Sequence, residues 1–378
     1  MLPSEYRALS DDEAFTRIRA AKSELGDRAF VLAHHYQRDS VYQFADATGD
    51  SLKLSLLARD SSADYIVFCG VHFMAETADI VNNGQKVVTL PDSTAGCPMA
   101  DSAKDPAVRK TWAYLQELMP DQTICPITYI NCYASLKAFC GENGGTICTS
   151  TNAPEILDWG LENFDKVFFF PDQHLGRNIA KLKGVPEDQI LQIYHRKEGL
   201  GVTEEELRRA KVILWNGMCP VHDRFAVEDI EKARETDPDI NVLVHPEVPE
   251  AVAAQSDYMG STEYIIKKVS EAPAGSKWLV ATEIHLVERL IKEHPDKDVR
   301  LLGEPICNCS MMDRTSPQHL CWNLESLVRG DIVNRVQVPE DIAVEANVAL
   351  QLMFDLTQLK DEPKLHFSRT QENTPQEA

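Results

Sequence analysis

Three times along this chain a short β-branched run gives way, within a few residues, to a cysteine in a loop. Lys86–Leu90 (KVVTL) leads to Cys97. Lys211–Leu214 (KVIL) leads through the turn signal Asn216-Gly217 to Cys219 and then His222. Val299–Leu302 (VRLL) leads to Cys307 and Cys309. Such runs read as short buried strands. A cysteine just past the end of a core strand lies where open α/β sheets place their ligand chemistry. Three such deliveries predict a fold that converges three strand ends on one centre.

The rest of the chain supplies the frame. Residues 1–27 read as one or two exposed helices. Arg28–His34, Tyr65–Cys69 and Lys86–Leu90 then alternate with helical stretches, the pattern of a parallel sheet with helices on its faces. Thr123–Ile130, Lys166–Phe170 and Lys211–Leu214 repeat the pattern, as do Ile240–Val244, Trp278–Ala281 and Val299–Leu302. In each pass the first strand ends in polar groups: His34 and Tyr36, Tyr129 and Asn131, His245 and Glu247. A hydroxyl follows at an expected helix start: Ser51, Ser150 and Thr262. A histidine follows the next strand: His72, His174 and His285.

The expectation is a triplicated α/β protein, three homologous α/β/α domains with parallel sheets around a pseudo-threefold axis and a central active site. The expected boundaries are an N-terminal helical segment at 1–27 and repeats at 28–118, 119–234 and 235–309. Closing helices are expected at 310–360, over Ser310–Gly330 and Asp341–Leu359, and a mobile polar tail at 361–378.

Composition narrows the partners. The net charge of −21 argues against nucleic acid and against an anionic membrane surface, both of which need a basic face. The N-terminus lacks the apolar core of a signal peptide, and no apolar run approaches a membrane span. The expected compartment is the cytoplasm, where ten cysteines are core residues, metal ligands or redox groups rather than a disulfide framework.

Neither a ferredoxin run nor paired zinc-ribbon knuckles are present. One cysteine per repeat fits a site with three protein ligands and an open position for Lewis-acid chemistry. That site is either a [4Fe–4S] centre or a zinc ion that recruits His222. Cys69, Cys125, Cys132, Cys140 and Cys148, in or near strands, read as core residues. Spacing leaves Cys307, Cys309 and Cys321 open for the third position. Taken singly, Ser51, Ser150 and Thr262 read as helix N-caps; their repetition at the expected centre points also to anion binding at helix N-termini. His72, His174 and His285 read as structural. A zinc lyase or hydrolase, or a non-catalytic ligand binder, would use the same frame.

Several motifs together resemble the quinolinate synthase (NadA) family, in its longer subgroup. They are Ala33-His34-His35-Tyr36-Gln37, Gly49-Asp50-Ser51, Phe73–Ala78, Tyr129-Ile130-Asn131, Cys148-Thr149-Ser150, Gly217–His222, His245-Pro246-Glu247 and Gly260-Ser261-Thr262. The resemblance implies condensation of iminoaspartate with dihydroxyacetone phosphate to quinolinate, phosphate and water in de novo NAD biosynthesis. It implies a [4Fe–4S] cluster on Cys97, Cys219 and the last motif's cysteine. The family's x-x-Met after that cysteine selects Cys309, which leaves Cys307 and Cys321 for redox roles. It implies substrate binding by His34, Ser51, Tyr129, Asn131, Ser150, His245, Glu247 and Thr262, with His34, Tyr36 and Glu247 in catalysis. It also implies a functional link to L-aspartate oxidase or aspartate dehydrogenase.

Overall fold

The computed structural model describes residues 2–194, 200–303 and 308–357. Its strands are β1 (Ala29–His34), β2 (Ala47–Gly49), β3 (Tyr65–Cys69), β4 (Val87–Thr89), β5 (Ile124–Tyr129), β6 (Thr146–Cys148) and β7 (Lys166–Phe170). They continue with β8 (Ile190–Ile193), β9 (Val212–Trp215), β10 (Asn241–Val244), β11 (Tyr258–Met259), β12 (Lys277–Ala281), β13 (Asp298–Leu301) and β14 (Arg335–Val336). They form three sheets, ordered β14-β4-β3-β1-β2, β6-β5-β7-β9-β8 and β11-β10-β12-β13.

The common plan is one parallel sheet used three times: the first strand is flanked by the second and third, and β4, β9 or β13 lies outside the third. Helices cross between the parallel strands, as such connections require. The expected α/β class and threefold repetition are therefore present. The central sheet is the most enclosed: β5, β7 and β9 are buried along their whole length, as a parallel sheet covered on both faces must be.

Some elements differ from the sequence expectation. β2, β6 and β11 have two or three residues each, too few for a periodicity to register. β8 lies at an edge within a charged stretch. β14 adds an antiparallel edge to the first sheet through Val336 opposite Val88. The N-terminal helix Asp11–Leu25 is not simply exposed. Ala14, Ile18, Ala21 and Leu25 make a buried stripe that packs on helix Pro317–Val328. That helix begins at Pro317 rather than Ser310, because Ser316 caps it and proline occupies its first turn. The tail expected at 361–378 lies outside the described residues.

The C-terminal helix Glu340–Thr357 lies on helix Ala134–Glu142 at very close range. A Cβ on Gly141 would sit 2.0 Å from the Glu345 carbonyl oxygen, backbone that cannot yield without moving the helix. Gly141→Ala should therefore cost ~1–3 kcal/mol and lower the thermal midpoint by several degrees. An unchanged melting curve would contradict this packing.

Candidate active site

The ends of β1, β5 and β10 open onto one cavity. His34, Tyr36, Ser51, Cys97, Tyr129, Asn131, Ser150, Cys219, His245, Glu247, Thr262 and Cys309 all line it. The sequence singled out these residues from three distant segments, and the fold brings every one of them to this cavity.

The three cysteines share one local design. Each starts a helical turn, and its carbonyl accepts from the N–H of an aspartate four residues on: Asp101 at 2.9 Å, Asp223 at 2.9 Å and Asp313 at 3.0 Å. The turn aims backbone N–H groups at the sulfur: Ala100 and Met99 at Cys97, His222 at Cys219, Met312 and Met311 at Cys309. The Tyr133 hydroxyl holds Asp101 at 2.8 Å, and His174 holds Asp223 at 2.8 Å. Gly217 lets the second turn approach, since a Cβ there would meet the Pro171 carbonyl oxygen at 2.3 Å.

This repeated Cys-x-x-x-Asp (CPMAD, CPVHD, CSMMD) is a signal that strand ends alone do not give. It separates Cys309 from Cys307 and Cys321. Cys321 packs in the core between helices Asp11–Leu25 and Pro317–Val328; Cys307 lies outside the described residues. The five cysteines read as core residues are buried.

Burial pushes the Cys97 thiol up to about 12, with Cys309 adding to the rise. It pushes Cys219 well above the ordinary thiol value, helped by Glu247 and Cys309, and also raises Cys309. These thiols are close enough to oppose one another's ionisation. Left to themselves they stay protonated near neutral pH; a bound cationic centre is what converts such a set to thiolates. The backbone N–H groups already face the charge that would form. Three converging sulfurs with amide donors fit a cluster held by three cysteines.

The proton-handling groups are equally patterned. The N–H of Tyr36 donates to Nδ1 of His34 at 3.1 Å, and the N–H of Glu247 donates to Nδ1 of His245 at 3.4 Å. Each neutral ring then carries its own proton on Nε2. Burial lowers both imidazoles to about 3, so both are neutral at physiological pH. Burial would raise the Glu247 carboxyl, but the imidazoles of His222 and His245 and the Tyr129 hydroxyl hold it down at about 2. Tyr129 donates to Glu247 at 2.7 Å, and Nδ1 of His222 lies 2.8 Å from the other carboxylate oxygen. That ring nitrogen has no hydrogen-bond partner among the described residues. Burial, then the Glu247 charge, raises Tyr36 and Tyr129 well above the ordinary phenol value. The Tyr36 hydroxyl meets Thr282 at 2.8 Å, and the same Thr282 oxygen is 3.3 Å from Nε2 of His222.

The neutral histidines carry a pH signature for stability. Their folded pKa is depressed, so the unfolded chain binds more protons below about 6.5. Their contribution is fully present above that pH and is lost as pH falls toward about 3. Each should remove about 1.4 kcal/mol per pH unit in that window. Urea midpoints at pH 7.5 and 5.5 should show the drop, and a flat profile would contradict neutral burial.

The three hydroxyls are not the helix caps the sequence offered. Asp50 caps helix Ser51–Asp60 by accepting from the Lys53 N–H at 2.9 Å. Ser261 caps helix Thr262–Ser270 by accepting from the Tyr264 N–H at 3.3 Å. Before helix Ala153–Asn163, the Asn152 side chain takes the Thr149 N–H at 2.6 Å. Asp50 and Ser261 take the capping bonds, helix Ala153–Asn163 has no side-chain cap, and Ser51, Thr262 and Ser150 are left on the cavity wall. Asn131 adds a side-chain oxygen with no hydrogen-bond partner among the described residues.

Sequence reasoning did not find Thr282 or Glu283. Glu283 is fully buried. It accepts from the Cys309 N–H at 3.1 Å and from Nδ1 of His285 at 2.9 Å, tying the third cysteine turn to the third unit. The shared place of Asp172 and Glu283, each capping the helix that follows the third strand, is the signal that marks it.

Comparison with known proteins agrees with this geometry. The family model described as NadA, quinolinate synthetase A protein, matches residues 16–355. A quinolinate synthase of Anoxybacillus flavithermus is 48% identical over 353 residues, covering 93% of this chain and 96% of the relative. One of Streptomyces coelicolor is 49% identical over 362 residues, covering 94% and 91%. With the match running through all three sheets and their site-bearing turns, the chain belongs to the quinolinate synthase (NadA) family.

Proposed function

We propose that this chain makes quinolinate for NAD biosynthesis by condensing iminoaspartate with dihydroxyacetone phosphate, releasing phosphate and water. Cys97, Cys219 and Cys309 would hold a [4Fe–4S] cluster. The observation that carries the reading is the threefold cysteine turn: three sulfurs, one per unit, facing a cavity that also holds the proton-transfer groups. When bound, the cluster supplies a Lewis-acid position that eases departure of a hydroxyl during dehydration.

The chain's own residues divide the remaining work. The N-terminal turns of helices Ser51–Asp60, Ala153–Asn163 and Thr262–Ser270, with the Ser51, Ser150 and Thr262 hydroxyls, hold carboxylate and phosphate groups. Asn131 orients the carbon skeleton between them. Glu247, ionised and backed by Tyr129, accepts protons during enolisation and imine formation. Tyr36 donates a proton, and the Nε2–H groups of His34 and His245 donate hydrogen bonds, to developing oxyanions. The apolar walls, Phe73, Met74, Met99 and Met312 among them, keep water from competing.

A second reading has one observation behind it. The ligand atoms of Cys219, His222 and Glu247 lie within 4.8 Å of one another, a set suited to a single zinc ion. It leaves Cys97 and Cys309 without a role. Metal analysis of protein purified without air separates the two: about four irons with labile sulfide per chain, or one zinc. Quinolinate formation from the two substrates tests the reaction itself. The unstable imine implies a supplying enzyme, an L-aspartate oxidase or aspartate dehydrogenase. We place the reaction in the cytoplasm; among the described residues no helix is long and apolar enough to cross a membrane.

A further inference from the structure

Three helices follow the third strand of their units: His72–Val81, Gln173–Leu182 and Ile284–Glu293. Each has a histidine in its first turn, and the residue four positions on reaches into a neighbouring unit. Glu76 of the first unit accepts from the Ala134 N–H at 3.0 Å, just past Asn131 in the second. Asn178 of the second donates to the carbonyls of Pro246 and Val248 at 2.9 and 2.8 Å in the third. Arg289 of the third donates to the carbonyls of His35 and Gln37 at 2.9 and 2.8 Å in the first. The links run from first to second, second to third and third back to first, closing a ring.

The two donor links are alike in a telling way. Asn178 grips the carbonyls on either side of Glu247, and Arg289 grips those on either side of Tyr36. Each fixes the peptide planes that aim a proton-transfer side chain at the cavity while touching neither side chain. Both are almost fully buried, at 4% and 6% exposure. Arg289 is also held from behind. The Arg289 guanidinium lies over the Tyr42 ring at 3.6 Å and donates to Asp39 at 3.0 Å. Asn178 spends both amide hydrogens on the turn, and its own oxygen finds no partner among the described residues. A buried unpaired carbonyl is costly, so a position serving packing alone would favour an apolar residue.

We infer that Asn178 and Arg289 are positioning residues that set the aim of Glu247 and Tyr36, each acting across a unit boundary. This rests on the roles given to Glu247 and Tyr36 under the proposed function. A misplacement of about 1 Å at a reacting group costs on the order of 100-fold in rate.

The test uses full-length, cluster-loaded protein and four variants: Asn178→Ala, Asn178→Asp, Arg289→Ala and Arg289→Lys. The aspartate and lysine variants preserve bulk should the alanine variants fail to fold. Hydrogen exchange should rise in the segment around 245–248 for the Asn178 variants only. It should rise around 35–38 for the Arg289 variants only. Iron content should stay at the wild-type value, and kcat should fall ~10–100-fold with KM within about threefold. Arg289→Lys should recover part of the loss, having a cation but no fork. Unchanged local exchange, or loosened turns with full kcat, would overturn the inference. A wild-type protein that makes no quinolinate, yet shows these exchange patterns, would overturn the function and leave the clamps standing.

Discussion

Cys219→Ser protein should emerge from anaerobic purification colourless, with iron reduced from about four per chain to a trace and turnover down at least ~1,000-fold. Cys97, Cys309 and Glu247 all act on the Cys219 thiol. A serine hydroxyl is shorter and harder than a thiolate and ionises far less readily, so it does not replace sulfur as an iron ligand. The substitution removes one of three protein anchors and leaves the turn itself intact, because Asp223 bonds the backbone carbonyl rather than the side chain. Global stability should therefore change little. The decisive measurements are iron, labile sulfide and the visible absorption spectrum beside the rate. A colourless variant with full activity would refute the assignment. Zinc retained by this variant would count against the single-ion reading as well, since Cys219 belongs to that set too.

Glu247→Gln should lower kcat/KM by ~100- to 1,000-fold while leaving the iron content at its wild-type value. Glu247 is the ionised carboxylate of a buried polar group. It takes the Tyr129 hydroxyl at 2.7 Å and lies 2.8 Å from His222. Glutamine keeps the shape and loses the charge and the capacity to take up a proton. Its amide can still accept from Tyr129, so the fold should survive. The pH profile adds a second readout. In the native protein the carboxylate is held at about 2, so its deprotonated form persists well into acid. Tyr129→Phe removes one of the groups that hold it down, and the acidic limb of kcat/KM should then move to higher pH. Equal activity of wild type and Glu247→Gln would remove Glu247 from the chemistry.

Much of this site was legible because its elements are repeated. A single strand-end histidine carries little information. His34-His35-Tyr36, Tyr129-Ile130-Asn131 and His245-Pro246-Glu247 occupy one structural place three times, and that recurrence isolates them. The third cysteine was harder, because Cys307, Cys309 and Cys321 crowd one region. Apart from the x-x-Met that the family resemblance supplies, the i+4 aspartate, a feature of turn geometry rather than of hydropathy, tells Cys309 apart. The hydroxyls were located correctly and their local role was misjudged. Asp50-Ser51 and Ser261-Thr262 each offer two capping residues in succession, and propensity does not decide which one turns inward. Glu283 and Thr282 were missed because their importance comes from contacts with residues distant in sequence, with Cys309 and with Tyr36. The short strands β2, β6 and β11 were missed because pairing with a longer neighbour creates them. The clamp residues Asn178 and Arg289 share neither charge nor shape, so only the threefold superposition of their helices reveals the kinship.

The packing of helix Asp11–Leu25 on helix Pro317–Val328 has a consequence for how the molecule is made. Helix Asp11–Leu25 leaves the ribosome long before its partner, with a stripe to bury and that partner not yet made. Arg289, which steadies the turn at Tyr36, also arrives late, and Cys309 is the last of the three cysteine anchors. The first unit therefore waits, incomplete, for segments made much later. On the ligand set proposed above, a nascent chain stalled before residue 309 should not carry the complete cluster.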